Sequence, residues 1–212
     1  MISCGDLMIK VCGLTRQEDV DLCLSLRVCL TGFIFHPASP RYITPENAGA
    51  IDSGTAMRVG IFVDQSPDEV RTIMKTARLH LAQLHGKQDV EFCQDLGREK
   101  VMKVLWPDSY PDEKTFRADV DLFSPHTRFF LFDAGKSRGG HGKTISSGFL
   151  AGLKMPKTWF LAGGLSPDTI EPALAVCSPC GVDLNSGVES APGVKDHDKL
   201  RRVIDFLCKT PK

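Results

Sequence analysis

The stretch RVGIFVDQSPDEVRTIMKTARLHLAQLHG, residues 58–86, shows the pattern that decides the fold. Its two apolar runs, RVGIFV (58–63) and LHLAQL (79–84), have the length and composition of buried strands. Between them, PDEVRTIMKTAR (67–78) reads as an amphipathic helix, because Pro followed by Asp and Glu is typical of a helix N-terminus. Short apolar strands that are separated by helices are parallel and covered on both faces.

The same alternation continues along the whole chain. The other predicted strands are MIKVC (8–12), CLTGFIF (29–35), KVMKVLW (100–106), RFFLFD (128–133), TWFLAG (158–163) and GVDLN (181–185). The other predicted helices are RQEDVDLCLSL (16–26), PENAGAI (45–51), DVEFCQDLG (89–97), PDEKTFRADVDLF (111–123), PDTIEPALAV (167–176) and VKDHDKLRRVIDFLCK (194–209). Eight parallel strands with helices between them predict a single (β/α)8 TIM barrel over residues 8–212, with a loose tail at residues 1–7.

A doubly wound open sheet is the structural alternative. It would need a glycine-rich dinucleotide turn after the first strand, where the sequence has Gly13 alone. GKT (142–144) resembles the end of a Walker loop, but the first glycine of that motif would be residue 137, which is Ser137. Both nucleotide motifs are incomplete, so the barrel is favoured.

The charge balance narrows the classes of partner. Lys plus Arg and Asp plus Glu number 26 each, so nucleic acid and anionic membranes are not expected to bind. No apolar run approaches the length of a membrane span, and the start lacks the pattern of a signal peptide, so we expect a cytoplasmic protein.

CSPC (177–180) has no second ligand pair for zinc and is expected to form a turn before a strand. The sequence leaves open whether the protein is a monomer or a homodimer.

The ends of the last two predicted strands indicate a phosphate site. In a barrel, chemistry takes place at the carboxyl ends of the strands, and the loops after strands seven and eight commonly bind phosphate. Here these ends read AGGL (162–165) and NSGVE (185–189), in which small residues let backbone N–H groups approach a ligand. The predicted donors are Gly163, Gly164, Ser186 and Gly187, although the glycines could also serve only as tight turns.

Three other strand ends offer groups for proton transfer. Cys12 and Lys10 share one face of the first strand, and a nearby ammonium lowers a thiol's pKa. Strand eight is the neighbour of strand one in a closed barrel, so we expect Lys10 to pair with Asp183. Asp133 ends an apolar strand, where a carboxyl with a raised pKa can act as a general acid. From composition alone, a buried small hydrophobe is the favoured interpretation of Cys12.

Two further side chains complete the candidate site. Arg41, in HPASPRY, has the planar group that holds a carboxylate at two points, although it could also be an ordinary surface arginine. His85, in QLHG, ends strand four and is expected to support the site rather than touch substrate. No set of His, Asp or Glu has the spacing of a catalytic metal site, so no metal is expected.

Together these residues resemble the phosphoribosylanthranilate isomerase family. The matching segments run in family order from Lys10 to about Leu200. They are KVCGLTRQEDV, GFIFHPASPRYI, RVGIFVD, QLHG, FDAGKSRGGHGKT, LAGGLSPDTI and VDLNSGVESAPGVKDHDKL. After GKT, Ile145–Ser147 replace the aromatic residue, Asp and Trp of the family, and Asn185 stands where Ser is more usual. The first departure affects the start of the following helix rather than the acid, and neither departure is interpreted as a loss of activity.

The resemblance implies an intramolecular aldose–ketose isomerase of tryptophan biosynthesis. Its reaction is the Amadori rearrangement of N-(5-phosphoribosyl)anthranilate, a phosphosugar, to 1-(o-carboxyphenylamino)-1-deoxyribulose 5-phosphate. By position in the family motifs, Cys12 is the general base, Asp133 the general acid and Arg41 the residue that holds the anthranilate carboxylate. No cofactor is implied.

Two other functions compete with this interpretation. The related isomerase of histidine biosynthesis would have an aspartate in place of Cys12 and a twofold sequence repeat, and neither is present. A non-catalytic phosphosugar-binding barrel, or an assembly partner of neighbouring pathway enzymes, remains the alternative, because fold alone does not define function.

Overall fold

The computed structural model describes residues 7–134 and 150–209 and contains a closed barrel of eight parallel strands in sequential order. The strands are β1 (Met8–Val11), β2 (Leu30–Ile34), β3 (Met57–Phe62), β4 (Leu81–Leu84), β5 (Val101–Leu105), β6 (Phe129–Asp133), β7 (Trp159–Ala162) and β8 (Gly181–Leu184). All eight predicted strands are confirmed, most of them shorter at one or both ends. The barrel closes where β1 pairs with β8.

Seven α-helices cover the barrel in the described part of the chain. They are α1 (Gln17–Ser25), α2 (Pro45–Ala50), α3 (Pro67–Thr76), α4 (Val90–Leu96), α5 (Glu113–Phe123), α6 (Ile170–Val176) and α7 (His197–Lys209). Helix α3 begins at a capping box, in which Ser66 and Glu69 satisfy each other's backbone N–H groups. Asp89 and Asp112 cap α4 and α5 in a similar way, each accepting a hydrogen bond from a backbone N–H three residues on.

The prediction for the last helix is wrong at its start. The helix was expected over 194–209, but it begins at His197, because Val194–Lys195 form a short strand, β10. This strand pairs antiparallel with β9 (Glu189–Ala191), and the turn between them contains Pro192 and Gly193. The resulting hairpin holds the chain after β8 against the mouth of the barrel.

Side chains that alternate along the strands fill the inside of the barrel. One apolar cluster occupies it, formed by Leu30, Val59, Leu81, Met102, Val104, Phe129, Leu131, Phe160 and Ala162. Beside this cluster lie three buried polar side chains, Lys10, Gln83 and Asp183. The opposite faces of the strands pack against the helices in a second, larger core. The interior therefore changes from apolar to polar near the carboxyl ends of the strands.

Some of the sequence-based predictions fall on residues that the structure does not describe. The loop after β6, from Gly135 through GKT to Phe149, lies outside the described residues, and so does most of the predicted tail. Leu7, which was assigned to that tail, is 7% exposed and belongs to the large core. The division into a tail at 1–7 and a domain at 8–212 stays a prediction. Within residues 7–134 and 150–209, every helix is too short or too polar to cross a membrane.

Candidate active site

Cys12 directly follows β1 and is only 4% exposed. Its backbone N–H donates to the carbonyl of Leu184, which extends the pairing with β8. The thiol packs with Ile34 and Ile61 and lies close to Gly32 on β2. A Cβ at position 32 would come within 3.0 Å of Cys12 Sγ, so the absence of a side chain there makes room for the thiol.

Lys10 and Asp183 form the buried ion pair that the sequence predicts. Both carboxylate oxygens lie 2.9 Å from Lys10 Nζ, and the two residues are directly opposite each other in the β1–β8 pairing. Burial lowers the pKa of Lys10, but the charges of Asp183 and Cys12 outweigh it and raise the pKa overall. Lys10 therefore stays protonated beneath the thiol.

The expected effect of Lys10 on the thiol is only partly correct. Burial raises the pKa of Cys12 more strongly than Lys10 and Lys195 lower it, and Asp183 raises it further. The net pKa lies above the ordinary value, so the prediction of a lowered thiol pKa is wrong for this structure. The physical reason is that Cys12 is almost fully enclosed, which disfavours its charged form.

Asp133 ends β6 on the same side of the barrel, with its side chain 24% exposed. His85 Nε2 lies 3.9 Å from one of its carboxylate oxygens, and the other ring nitrogen, Nδ1, is 3.3 Å from Gln83 Nε2. Because an amide NH2 only donates, His85 Nδ1 accepts and Nε2 carries the proton that faces Asp133. Burial and Lys10 lower the pKa of His85 to about 4, so the ring is neutral at pH 7. Its edge contact with Trp106 fixes the plane of the ring.

The two predicted phosphate loops lie against each other at the mouth. Gly163 and Gly164 follow β7 with left-handed φ angles of 112° and 64°, which favour glycine. Ser186 and Gly187 lie in a 3-10 turn after β8, and a Cβ on Gly187 would come 2.1 Å from the carbonyl oxygen of Leu165. Among described residues, none accepts a hydrogen bond from the backbone N–H of Gly164 or Ser186. The two loops are in direct contact at Leu165 and Gly187.

Arg41, in the loop after β2, is held by a carboxylate that the sequence-based prediction did not use. Glu189 accepts hydrogen bonds from Arg41 Nε at 2.9 Å and from Nη2 at 2.6 Å. Lys195 Nζ binds the same carboxylate at 2.8 Å and the side-chain oxygen of Asn185 at 3.1 Å. The sequence-based prediction uses NSGVE (185–189) only for its small residues. The PG turn after this segment, which brings Lys195 back towards Glu189, is the sequence signal that could have indicated this contact. Pairing with Arg41, 148 residues away, left no local pattern.

Nothing in the described ranges has the make-up of a metal centre, which would need three or more His, Cys, Asp or Glu side chains together. Cys177 and Cys180 are free thiols in the connection between α6 and β8, which has no regular secondary structure. The fold and the mouth residues define a (β/α)8 barrel with a polar site at the carboxyl ends of its strands, where enzymes of this fold carry out their chemistry.

Comparison with known proteins identifies the family. Residues 9–206 match the model of the N-(5'-phosphoribosyl)anthranilate (PRA) isomerase family, and the chain belongs to this family. It is 49% identical to the N-(5'-phosphoribosyl)anthranilate isomerase of Maridesulfovibrio salexigens, over 92% of this chain and 95% of the relative. The corresponding enzyme of Desulfovibrio desulfuricans is 44% identical, over 96% of each chain. The chain is therefore an intramolecular aldose–ketose isomerase of tryptophan biosynthesis.

Solved structures agree with this assignment. The phosphoribosyl anthranilate isomerase of Thermotoga maritima superposes with a TM-score of 0.84 at 30% identity, covering 95% of this chain and 98% of that one. The enzyme of Thermus thermophilus gives a TM-score of 0.81 at 35% identity, with the same coverage. Both confirm the predicted barrel.

Proposed function

We propose that Cys12 and Asp133 carry out the Amadori rearrangement as general base and general acid. Asp133 protonates the ring oxygen of the ribose, and the ring opens to a Schiff base between C1′ and the anthranilate nitrogen. Cys12, as thiolate, then removes the proton from C2′, which gives an enolamine. Tautomerisation of the enolamine yields the ketone of the product. Cys12 directly follows β1 and Asp133 ends β6, so both lie at the carboxyl ends of the barrel strands, and this shared position is the observation that carries the proposal.

The electrostatic surroundings of Cys12 fit a base that is present as the thiolate in only a fraction of the free protein molecules. The positive charges of Lys10 and Lys195 stabilise the thiolate, while burial limits its population in the free protein. A base with a high pKa removes a carbon-bound proton more effectively once it is formed. The Lys10–Asp183 pair and neutral His85 are assigned supporting roles, because they contact the thiol and the carboxyl rather than the mouth.

The ligand class follows from the donors at the mouth. A phosphate is assigned to the backbone N–H groups of Gly163, Gly164, Ser186 and Gly187, because the two loops that carry them are in contact at Leu165 and Gly187. Arg41 is assigned to the anthranilate carboxylate, because a guanidinium binds a carboxylate at two points. A phosphoribosyl anthranilate isomerase at 28% identity and TM-score 0.76, covering 94% of this chain, has been solved with reduced 1-(o-carboxyphenylamino)-1-deoxyribulose 5-phosphate bound, which supports this ligand class.

The test is turnover of freshly prepared N-(5-phosphoribosyl)anthranilate, followed by the decay of its fluorescence. The purified chain is expected to accelerate the decay, and borohydride reduction of the mixture should yield the reduced deoxyribulose phosphate. The Cys29→Ser variant is a matched control, because this thiol lies before β2 at the other end of the barrel and should be dispensable. Saturable binding of the substrate without any enzyme-dependent decay would instead support the non-catalytic barrel.

A further inference from the structure

We propose that Glu189, anchored by Lys195, is a positioning residue that fixes the guanidinium of Arg41 for the carboxylate of the substrate. This inference rests on the role proposed for Arg41. It concerns two residues, Glu189 and Lys195, that are assigned neither to proton transfer nor to phosphate binding. Three features of the contacts support it.

The first feature is the edge of the guanidinium that Glu189 occupies. Its carboxylate takes Nε–H and one N–H of Nη2, with contacts of 2.6 to 3.0 Å. A guanidinium has five N–H donors in a rigid fork, so the edge formed by Nη1 and Nη2 is left for a second carboxylate. Within the described residues, Nη1 has no acceptor. Glu189 thus occupies the edge of the Arg41 guanidinium formed by Nε and Nη2 and leaves the edge formed by Nη1 and Nη2 for a second carboxylate.

The second feature is that Glu189 cannot easily move aside. Its side chain is 4% exposed and also accepts from Lys195 Nζ at 2.8 Å and from the backbone N–H of Gly193 at 3.3 Å. Burial raises the pKa of Glu189, but the bonds from Arg41 and Lys195 lower it overall, so the carboxylate stays charged. Displacing Glu189 would cost a substrate carboxylate more binding free energy than the new contact provides, because Glu189 is already paired with two cations.

The third feature connects this cluster to Cys12. Gly13 follows the thiol with a left-handed φ of 70°, and a Cβ there would lie 2.7 Å from both Arg41 Cδ and Asn185 Oδ1. The stem of Arg41 therefore crosses directly over the turn that carries Cys12. Fixing the guanidinium also fixes its distance to the thiol, and hence the placement of a substrate that must reach both. Misplacement by about 1 Å can cost ~100-fold in rate.

The experiment compares two inhibitors that differ in one group. One is reduced 1-(o-carboxyphenylamino)-1-deoxyribulose 5-phosphate, and the other is the same compound without the ring carboxylate. Calorimetry gives the ratio of their affinities, which isolates the contribution of the carboxylate from that of the phosphate. We expect Glu189→Gln and Arg41→Ala each to reduce this ratio by about tenfold or more, as for the loss of a charge-assisted hydrogen bond. The affinity of the carboxylate-free inhibitor should change little.

The double variant separates positioning from an independent effect. If Glu189 acts through Arg41, Arg41→Ala/Glu189→Gln has the same ratio as Arg41→Ala alone. Asp95→Asn removes one of the two carboxylate partners of another arginine, Arg71, on the helical surface and should leave the ratio unchanged. If Glu189→Gln does not fold because Lys195 is left without a counter-charge, Glu189→Gln/Lys195→Met is measured in its place.

The outcomes distinguish the two proposals. An Arg41→Ala variant that keeps the wild-type ratio overturns the assignment of Arg41 to the carboxylate, and the present inference with it. Loss of the ratio in Arg41→Ala but not in the Glu189 variant overturns the positioning role alone. Additive losses in the double variant also overturn it, because Glu189 would then act without Arg41.

Discussion

The buried pair of Lys10 and Asp183 makes a quantitative prediction about stability. Lys10 is fully buried, Asp183 is 7% exposed, and both carboxylate oxygens contact the ammonium at 2.9 Å. Asp183→Asn keeps the shape of the side chain but removes its charge, which leaves the ammonium uncompensated in the barrel. Such a loss costs about 3–5 kcal/mol in the free energy of unfolding. Because domains are stable by about 5–15 kcal/mol, this is a large share of the total.

Two control variants separate the charge effect from packing. Lys10→Met/Asp183→Leu replaces both charges by apolar groups of similar size, and the free energy of unfolding should return to within about 2 kcal/mol of the wild type. Asp95→Asn removes a carboxylate from an exposed pair with Arg71 and should cost less than about 1 kcal/mol, since water screens such pairs.

The assay is equilibrium unfolding in urea at pH 7, with the slope of the transition checked for two-state behaviour. The reasoning predicts a much lower midpoint for Asp183→Asn and recovery in the double variant. A loss below about 1 kcal/mol for Asp183→Asn would refute it, because it would mean that the pair adds little to the barrel. A double variant no more stable than the single one would do the same.

Three further predictions concern catalysis. Because burial holds the pKa of the Cys12 thiol above its ordinary value, the residual kcat/KM of Asp133→Asn, in which the general acid no longer titrates, should rise about tenfold per pH unit from pH 6.5 to 8.5, in step with the thiolate fraction; a flat profile in this variant would contradict a thiolate base. Gly32→Ala places a methyl group 3.0 Å from Cys12 Sγ and 3.1 Å from its Cα, so kcat should fall at least about tenfold through displacement of the thiol. Steady-state kinetics with an unchanged kcat would show that the thiol has room to move. Gly187→Ala puts its Cβ 2.1 Å from the carbonyl of Leu165, so it should separate the phosphate loops and raise KM and the Ki of inorganic phosphate. Equal phosphate inhibition in variant and wild type would argue against this site.

The barrel could be predicted from the sequence because its strands are buried on both faces. Such strands are continuous apolar runs, and helices with clear N-terminal signals separate them. Closure of the barrel then makes β1 and β8 neighbours, which is why the pair between Lys10 and Asp183 could be predicted across 173 residues. The start of α7 was misplaced because the PG turn at Pro192 and Gly193 was not interpreted as a hairpin.

The candidate site was predicted less completely. Strand ends reveal which side chains reach the mouth, but not how deeply each is enclosed. For this reason the sign of the Cys12 pKa shift was wrong: the charge of Lys10 is visible in the sequence, whereas burial is not. The contact between Arg41 and Glu189 joins two loops without periodicity, so no spacing rule could find it. The catalytic roles of Cys12 and Asp133 remain proposals.

The most direct test of these roles is the rate of isomerisation by Cys12→Ser, Asp133→Asn and the double variant, each compared with the wild type at saturating substrate. We predict that each single variant loses about 100-fold or more in kcat, and that the double variant loses little beyond the more damaging single change, since each residue is required for turnover. A folded Cys12→Ser or Asp133→Asn protein that keeps kcat within about tenfold of the wild type would contradict the assignment of base and acid.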